Sequence, residues 1–260
     1  MSSNLGSPRP WPQIRRSQLN RSIAGAGPLG TFLAFLSLVL GILFLMMESH
    51  FLMMASLSLM LLFYTAGAQL NIVLSDSLKL MFSSRHIDEK SDQIIGFTDE
   101  LRRAVNEKVG TATFDFHTFP FKEKNELTQC TEIFLSGEKP DLKLEDFLNY
   151  LRTHFYSDAH EHYQYNATCL DLVGNLTPLF GIAGTLYGML PVLTAMREGS
   201  DITMVSGGMG IAMNATLYGA IFSVFFKVLA SRFKQQIMAL NYHFDEVVSQ
   251  IRFLLGEHEA

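Results

Sequence analysis

Four stretches of the chain contain no aspartate, glutamate, lysine or arginine, and each is about 25 residues long. They run from Ser22 to Met47, from Phe51 to Ser75, from Leu172 to Met196 and from Ile202 to Phe226. A helix of that length rises roughly 37 Å, which is enough to cross a hydrocarbon core about 30 Å thick. A helix in a soluble bundle would carry charges on its solvent face. The sequence therefore predicts an all-α membrane protein with four transmembrane helices.

Lysine and arginine are concentrated outside the two short loops between these stretches, which indicates how the chain is oriented. Eleven basic residues lie between Asp76 and Asp171, and four arginines precede the first stretch. The loop 48–50 has no basic residue, and the loop 197–201 has one. Both termini and the long middle segment are therefore expected on the cytoplasmic side. The net charge of −5 gives no reason to expect binding to nucleic acid.

The charge pattern divides the chain into five parts. We expect a basic cytoplasmic tail at 1–28, a first transmembrane hairpin at 29–75, a cytoplasmic domain at 76–170, a second transmembrane hairpin at 171–230 and a cytoplasmic C-terminal helix at 231–260. The first hairpin is rich in leucine, methionine and phenylalanine, so it is expected at the periphery of the protein, facing lipid.

Apolar residues recur at helical spacing on both cytoplasmic sides of the second hairpin. They are Phe147, Leu148, Leu151, Phe155, Ala159, Tyr163 and Leu170 before it, and Phe233, Ile237, Leu240, Phe244, Val247, Ile251 and Leu254 after it. The third and fourth helices are therefore expected to extend into a helical cytoplasmic domain. A helix lying on the membrane surface is the alternative for residues 233–255, although such a helix would need a more basic polar face.

Small residues recur three or four positions apart in both helices of the second hairpin. The third stretch has Gly181, Gly184, Thr185 and Gly188, and the fourth has Gly208, Ala212, Ala215, Thr216, Gly219 and Ser223. Such faces let helix backbones approach closely in a membrane, and simple packing is one interpretation of the pattern. Pro178 and Pro191 in the third stretch predict local kinks and carbonyl groups that need a partner.

The second hairpin has polar groups within the membrane but no acid, base or histidine. The candidates to line a polar path are Asn175, Thr177, Thr185, Asn214, Thr216 and Ser223. Proteins that move protons normally place an ionisable side chain in the bilayer, because some group must bind and release the ion. If this chain conducts protons, another polypeptide must supply that group.

Two segments of this hairpin resemble signatures of the MotA/TolQ/ExbB proton-channel family. TPLFGIAGTLYGM at 177–189 matches Pro-x-x-Gly-x-x-Gly-Thr-x-x-Gly through Pro178, Gly181, Gly184, Thr185 and Gly188. GIAMNATLYGAIFS at 210–223 matches Ala-x-x-x-Thr-x-x-Gly through Ala212, Thr216 and Gly219. The four-span layout with its long cytoplasmic segment is similar to the MotA branch. The basic tail and the absence of a proline near the cytoplasmic end of the fourth helix depart from that branch.

The resemblance implies a set of partners. It implies a homo-oligomer, namely a pentamer, around a single-span protein of the MotB, ExbD or TolR type that supplies an intramembrane Asp. It implies that Thr185 and Thr216 line the ion path beside that Asp, and that Pro178 takes part in conformational steps. Sodium-using members tend to have a threonine where this chain has Ala215, so protons are favoured over sodium. No other cofactor is implied.

The function implied by the resemblance is that of a proton-channel subunit of an ion-driven motor, a stator or energiser in the bacterial inner membrane. Such a subunit couples proton flow to mechanical work, as in motility. A TolQ/ExbB-like energiser of outer-membrane processes and a non-conducting four-span scaffold are the alternatives. An enzyme is not expected, because no nucleophile–base pair or metal-binding set reaches a common site.

The cytoplasmic segment contains two further patterns. Residues 99–108 are predicted to form a short charged helix, and residues 111–124 a loop or a short strand. The resemblance implies that charged residues of this segment contact a cytoplasmic rotor, whereas a solvated helix face is the alternative. The rotor-contact candidates are Glu100, Arg102, Arg103 and Glu107. His154, Asp158 and His162 would share one helix face, but a chance arrangement is expected there rather than a metal site.

Overall fold

The structure is a computed structural model that describes residues 28–47, 49–82, 88–111, 114–136, 143–198 and 202–256. These residues form the α-helices α1 (Pro28–Met46), α2 (His50–Ala66), α3 (Leu70–Phe82), α4 (Glu89–Gly110), α5 (Glu126–Leu135), α6 (Leu144–Leu151), α7 (Ser157–Glu198) and α8 (Ile202–Leu255). Within the described ranges there is no strand, so the all-α class is confirmed. The predicted basic tail, apart from Pro28, lies outside the described residues.

Three helices, α1 and the long helices that contain the third and fourth charge-free stretches, are long and apolar enough to cross a membrane. The second stretch differs from the expectation of one helix over residues 51–75. It is broken at Gly67–Gln69, where α2 and α3 are bent by 117° relative to each other. Only together do α2 and α3 make a span of sufficient length. The described residues thus provide three candidate spans, or four if this bent pair counts as one.

The break after α2 has a local cause and a tertiary cause. Gly67 adopts a positive φ of 49°, a conformation that favours glycine, and its N–H donates to the Phe63 carbonyl to end the helix. The last carbonyls of α2 find partners on α7. The Tyr165 hydroxyl donates to Ala66 O at 2.9 Å, and the Cys169 thiol donates to Thr65 O at 3.8 Å. These contacts satisfy carbonyl groups that a continuous helix would have bonded to its own N–H groups.

The long helices α7 and α8 form an antiparallel hairpin that continues well beyond the charge-free stretches. A π-helical turn, Arg152–Tyr156, joins α6 to α7. The apolar positions predicted to share one face on each side of the second hairpin are all buried. The expected extension of the third and fourth helices beyond their charge-free stretches into a helical domain is therefore confirmed. The apolar face of residues 233–255 packs against protein, which contradicts the alternative of a helix lying on the membrane surface.

Helix α4 packs along the end of α8. Asp88 caps the N-terminus of α4 by accepting a hydrogen bond from the Ser91 N–H at 3.2 Å. At the other end, the Lys108 ammonium donates to the Phe253 and Leu254 carbonyls at 2.6 and 3.1 Å, which satisfies carbonyls at the C-terminus of α8. The predicted charged helix at 99–108 is part of α4. The described residues of 114–125 form an irregular loop with one 3-10 turn, Phe116–Thr118.

Candidate ion-conducting hairpin

The glycines of α7 lie where the backbone of α8 approaches most closely. A Cβ atom built on Gly188 would lie 2.6 Å from the Ala212 nitrogen, and one on Gly181 would lie 3.2 Å from the Ala215 carbonyl oxygen. On α8, a Cβ atom built on Gly219 would lie 3.1 Å from the Gly181 Cα. The structure therefore brings together the small residues that the sequence pattern singled out. Larger side chains there would push two main chains apart.

Ala215 also lies in this seam. It is fully buried, and its methyl group would be 2.5 Å from a Cβ atom built on Gly184. The methyl group therefore points at α7 and not at the exposed flank of the hairpin. A threonine at this position would place its side chain against Gly184.

Thr185 and Thr216 form a pair of hydroxyl groups at the edge of the seam. Their Oγ1 atoms are 2.6 Å apart, Thr185 is partly buried, and Thr216 is exposed. Thr185 Oγ1 also lies 2.9 Å from Gly181 O, and Thr216 Oγ1 lies 3.1 Å from Ala212 O. Two hydroxyl protons cannot serve all three contacts at once, so one hydroxyl donates to the other and the second donates to a carbonyl. The lone pairs that remain on the two hydroxyl oxygens can accept a hydrogen bond from a donor outside the chain.

The hydroxyl pair lies midway along the membrane part of the hairpin. Thr185 is near the middle of the charge-free stretch of α7, and Thr216 is near the middle of that of α8. At that depth hydrocarbon offers no hydrogen bond, so only another polypeptide or enclosed water could use the lone pairs that remain on the exposed side of the pair. No acid, base or histidine of this chain lies in either stretch.

Pro178 lies inside α7 without ending the helix. A proline lacks the N–H that would bond to the carbonyl four residues earlier, which here belongs to Gly174. The Ser223 hydroxyl of α8 donates to Gly174 O at 2.7 Å. The proline therefore frees a carbonyl, and the neighbouring helix supplies its donor, as the sequence led us to expect of this hairpin.

The other polar candidates do not join the hydroxyl pair. Ser223 is buried, and its hydroxyl donates to Gly174 O. Thr177 is also buried; its hydroxyl donates to Val173 O at 2.7 Å and contacts the Ser58 hydroxyl of α2. Asn175 and Asn214 are exposed. Of the six candidates, only Thr185 and Thr216 come together on an exposed flank.

A buried acid packs against the first turns of α7 and was not predicted from the sequence. Asp76 of α3 is 5% exposed, and its Oδ2 atom lies 2.8 Å from His162 Nε2 and 3.1 Å from Asn166 Nδ2. Burial alone would raise the pKa of Asp76, but the hydrogen bonds from His162 and Asn166 and the positive charges of His162 and Lys79 outweigh it, so the pKa lies below its usual range. The signal in the sequence was an acid immediately after a charge-free stretch.

His154, Asp158 and His162 have separate partners. His162 pairs with Asp76, Asp158 pairs with Lys90, and His154 Nε2 lies 3.9 Å from a carboxylate oxygen of Glu126. In the described part of the chain no three His, Cys, Asp or Glu residues are grouped so that they could hold a metal ion.

Three of the four rotor-contact candidates have partners inside the described part of the chain. Glu100 is buried, and its Oε2 atom accepts from Arg103 at 2.7 Å and from the Lys122 N–H at 3.3 Å. Arg103 also donates to Pro120 O at 2.7 Å. Arg102 donates to Glu246 of α8 at 2.7 Å. Glu107 is exposed, beside an open groove of about 210 Å³ that is also lined by Asp115 and Phe119.

Comparison with known proteins agrees with this geometry. The model of the MotA/TolQ/ExbB proton channel family matches residues 126–246, which run from α5 through most of α8 and include the glycine seam and the hydroxyl pair. No curated protein matches the chain. The family match, the seam and the hydroxyl pair lie in the same hairpin, so this part of the chain is similar to the MotA/TolQ/ExbB proton channel family.

Proposed function

We propose that this chain is the proton-channel subunit of an ion-driven motor, in which it couples proton flow to mechanical work together with a single-span partner. The family is one of proton channels, which supports a general role as a channel or energiser subunit in a membrane. The observation that carries the proposal is the Thr185–Thr216 pair, two hydroxyls 2.6 Å apart on an exposed flank at mid-depth, in a hairpin without an acid.

The proposed partner supplies a carboxylic acid beside this pair. A carboxylate in the bilayer is costly unless hydrogen-bond donors surround it, and the two hydroxyls are such donors. When the acid is protonated, the same hydroxyls can accept its proton in a hydrogen bond. The pair can therefore bond to both states of the acid, and because donors stabilise the carboxylate more than the neutral acid, this narrows the free-energy gap that the bilayer imposes between them.

Protons are the proposed ion, in preference to sodium. A sodium ion would need several oxygen ligands in place of its water shell. Beside the hydroxyl pair, α8 offers Ala215, whose methyl group is buried against Gly184. The pair alone suits a proton passed along hydrogen bonds better than a dehydrated metal ion.

The assembly that we propose is a homopentamer around the partner, in the bacterial inner membrane with both termini cytoplasmic. The two helices α1 and α2 before the long hairpin resemble the layout of the MotA branch, which supports a stator role in motility. In that setting Glu107 is the best-placed rotor contact, because the other three candidates already have partners within the domain.

The substitution Thr216→Val tests the proposal because valine keeps the shape of threonine and removes the hydroxyl. We expect proton influx into cells to fall to background, while the chain still co-purifies with its single-span partner. Thr194→Val is the matched control, since among the described residues the Thr194 hydroxyl bonds only to Leu190 O of its own helix at 3.0 Å. Unchanged proton influx in the Thr216→Val variant would refute the role of the hydroxyl pair in conduction, and absence of influx through the native complex would favour a scaffold.

Deletion of the chain separates the two energised processes. Loss of swimming with intact outer-membrane import would support the motility stator. Loss of import with normal swimming would instead support a TolQ/ExbB-like energiser.

A further inference from the structure

Helix α3 continues the second charge-free stretch, but it leaves the direction of α2 by 117°. A bend larger than a right angle directs α3 across the end of α2 and slightly back toward the membrane that α2 has left. The 13 residues of α3 rise about 20 Å, which is too little to cross a hydrocarbon core about 30 Å thick. Helix α3 therefore needs another place relative to the membrane.

The packing of α1 against α2 shows at which level α3 begins. Helices α1 and α2 have 19 and 17 residues, which rise about 28 and 25 Å. They are level at the end where α3 begins, because a Cβ atom built on Gly30 would lie 3.0 Å from the Gly67 Cα atom. By length alone α2 is just short of a span, whereas α1 is long and apolar enough to cross a membrane by itself. Since α2 reaches the same height as α1, α3 begins at the face of the membrane.

The buried side of α3 carries its acid. Four residues of this helix are buried, namely Val73, Asp76, Ser77 and Leu80. The Asp76 Oδ2 atom lies 2.8 Å from His162 Nε2 and 3.1 Å from Asn166 Nδ2, both on α7. These two partners precede Leu172, where the charge-free stretch of α7 begins. The contact therefore holds α3 at a level outside the hydrocarbon core.

The rest of the α3 surface is divided lengthwise into two stripes. The apolar stripe consists of Leu74, Leu78, Met81 and Phe82, and the last three are 55%, 50% and 80% exposed. The polar stripe consists of Asn71, Ser75 and Lys79, which are four residues apart and all exposed. Ile72 is the one exposed apolar residue of α3 outside the apolar stripe. A helix with one buried, one apolar and one polar side is suited to a position in a membrane surface.

Water alone does not suit this arrangement. A helix between protein and water turns its apolar residues inward and its charges outward, whereas α3 buries Asp76 and exposes Leu78 and Phe82. The surface already present at this level is the membrane, because α1 begins there and α2 ends there. Tyr64, about one turn before the break, is 63% exposed, and tyrosines favour the headgroup level of a bilayer.

We propose that α3 lies in the membrane surface, with its apolar stripe at the boundary between acyl chains and headgroups and its polar stripe toward water. The partner of this surface is the lipid bilayer itself. In this position Lys79 can extend its ammonium group to the lipid phosphates. Because Asp76 joins α3 to α7, the helix also fixes the height at which the long hairpin crosses the membrane. The proposal does not depend on the channel role.

Depth measurements on spin-labelled cysteines test the proposal. Leu78→Cys and Ser75→Cys are introduced separately into the full-length chain, labelled with a nitroxide and reconstituted into vesicles of phosphatidylcholine and phosphatidylglycerol. Collisions with oxygen, which dissolves in acyl chains, are compared with collisions with a water-soluble nickel chelate. We expect the ratio of oxygen to nickel collisions to be several-fold higher at position 78 than at position 75.

A second pair and a matched control complete the series. Met81→Cys and Asn71→Cys repeat the comparison with another position of each stripe, so the test stands if one variant fails to fold. Val109→Cys is the control for an exposed apolar side chain. Val109 is 75% exposed near the end of α4, and its label should meet the nickel chelate freely. The native chain should remain unlabelled, because Cys130 and Cys169 are buried.

Three results would each overturn the proposal. Free access of nickel to positions 78 and 81, as at position 109, would show that α3 is solvated. Few collisions with either reagent at positions 78 and 81 would show that another polypeptide covers the apolar stripe. Labels that are equally rich in oxygen collisions on both stripes would show that α3 is inserted in the bilayer as part of a bent span.

Discussion

Gly188→Ala should separate the two long helices at the point where their main chains are closest. The new methyl group would lie 2.6 Å from the Ala212 nitrogen, 2.8 Å from Gly208 O and 3.1 Å from the Ala212 Cα. All three atoms belong to the backbone of α8, so no side chain can rotate away. Contacts of this kind normally need more than 3 Å, and the helices must therefore move apart by roughly 0.5 to 1 Å.

This displacement has a predictable cost. Overpacking by one methyl group typically costs about 1–3 kcal/mol, and a change of 1 kcal/mol shifts the Tm of a chain of this size by about 2–4 °C. We therefore expect the Tm to fall by roughly 2–12 °C. The hydroxyl pair lies about one turn away, so its 2.6 Å contact should lengthen as well, and proton influx should fall with stability.

A thiol-reactive dye that fluoresces on coupling can follow this unfolding in detergent. Cys130 and Cys169 are both buried, and burial raises the pKa of both thiols, so they react slowly until the protein unfolds. A graded series provides the controls. Gly181→Ala places its methyl group 3.2 Å from the nearest atom and should cost less, and Gly110→Ala meets nothing within 4 Å. If Gly188→Ala unfolds at the same temperature as Gly110→Ala, the close approach of the two helices is refuted.

Two further substitutions test the polar contacts of the hairpin. Ser223→Ala leaves the Gly174 carbonyl without a donor at a cost of about 1–3 kcal/mol, so its Tm should fall by several degrees, and Ser223→Thr, which keeps the hydroxyl, should retain more stability. The pKa of Asp76 lies below its ordinary value, so its stabilising effect is present above about pH 4 and lost as the pH falls through the lowered pKa. Acidification from about pH 5 to about pH 3 should therefore lower the Tm of the native chain, measured by circular dichroism, more than that of Asp76→Asn. An equal fall in both would show that the contact with His162 does not stabilise the fold.

Much of the fold could be predicted because it depends on patterns within single helices. The apolar positions from Phe147 to Leu170 and from Phe233 to Leu254 keep helical spacing, and burying them requires α7 and α8 to pack together beyond the membrane. The glycine seam was predictable for the same reason, since a face of small residues indicates a close helix neighbour whatever the rest of the chain does.

The break after α2 could not be predicted, because it depends on distant residues. The stretch from Phe51 to Ser75 is uniformly apolar, and a glycine within it is compatible with a continuous transmembrane helix. Gly67 ends the helix here since Tyr165 and Cys169 of α7 receive the carbonyl groups that the break exposes. The same limit applies to Ser223. Its helical spacing made it a candidate to line the polar path. Its hydroxyl instead bonds to Gly174 O, the carbonyl that Pro178 of α7 leaves without an N–H.

Some contacts of the cytoplasmic domain could have been predicted more fully. Glu100 and Arg103 are three residues apart on a helix, a spacing at which opposite charges pair, and they do so at 2.7 Å. The pairing of Arg102 with Glu246 could not be foreseen, because 144 positions separate the two residues. Charged residues on a predicted helix are thus weak evidence for a binding surface until the partners within the domain are known.

The polar groups of the hairpin fall into two classes that explain why one copy is incomplete. Those in the seam, such as Ser223 and Thr177, find partners inside the chain. The hydroxyl pair is bonded within the chain as well, but it stands on an exposed flank with lone pairs left for an outside partner. The hydroxyl pair on one flank accommodates a partner that changes protonation state, because a hydroxyl serves an acid and its anion alike.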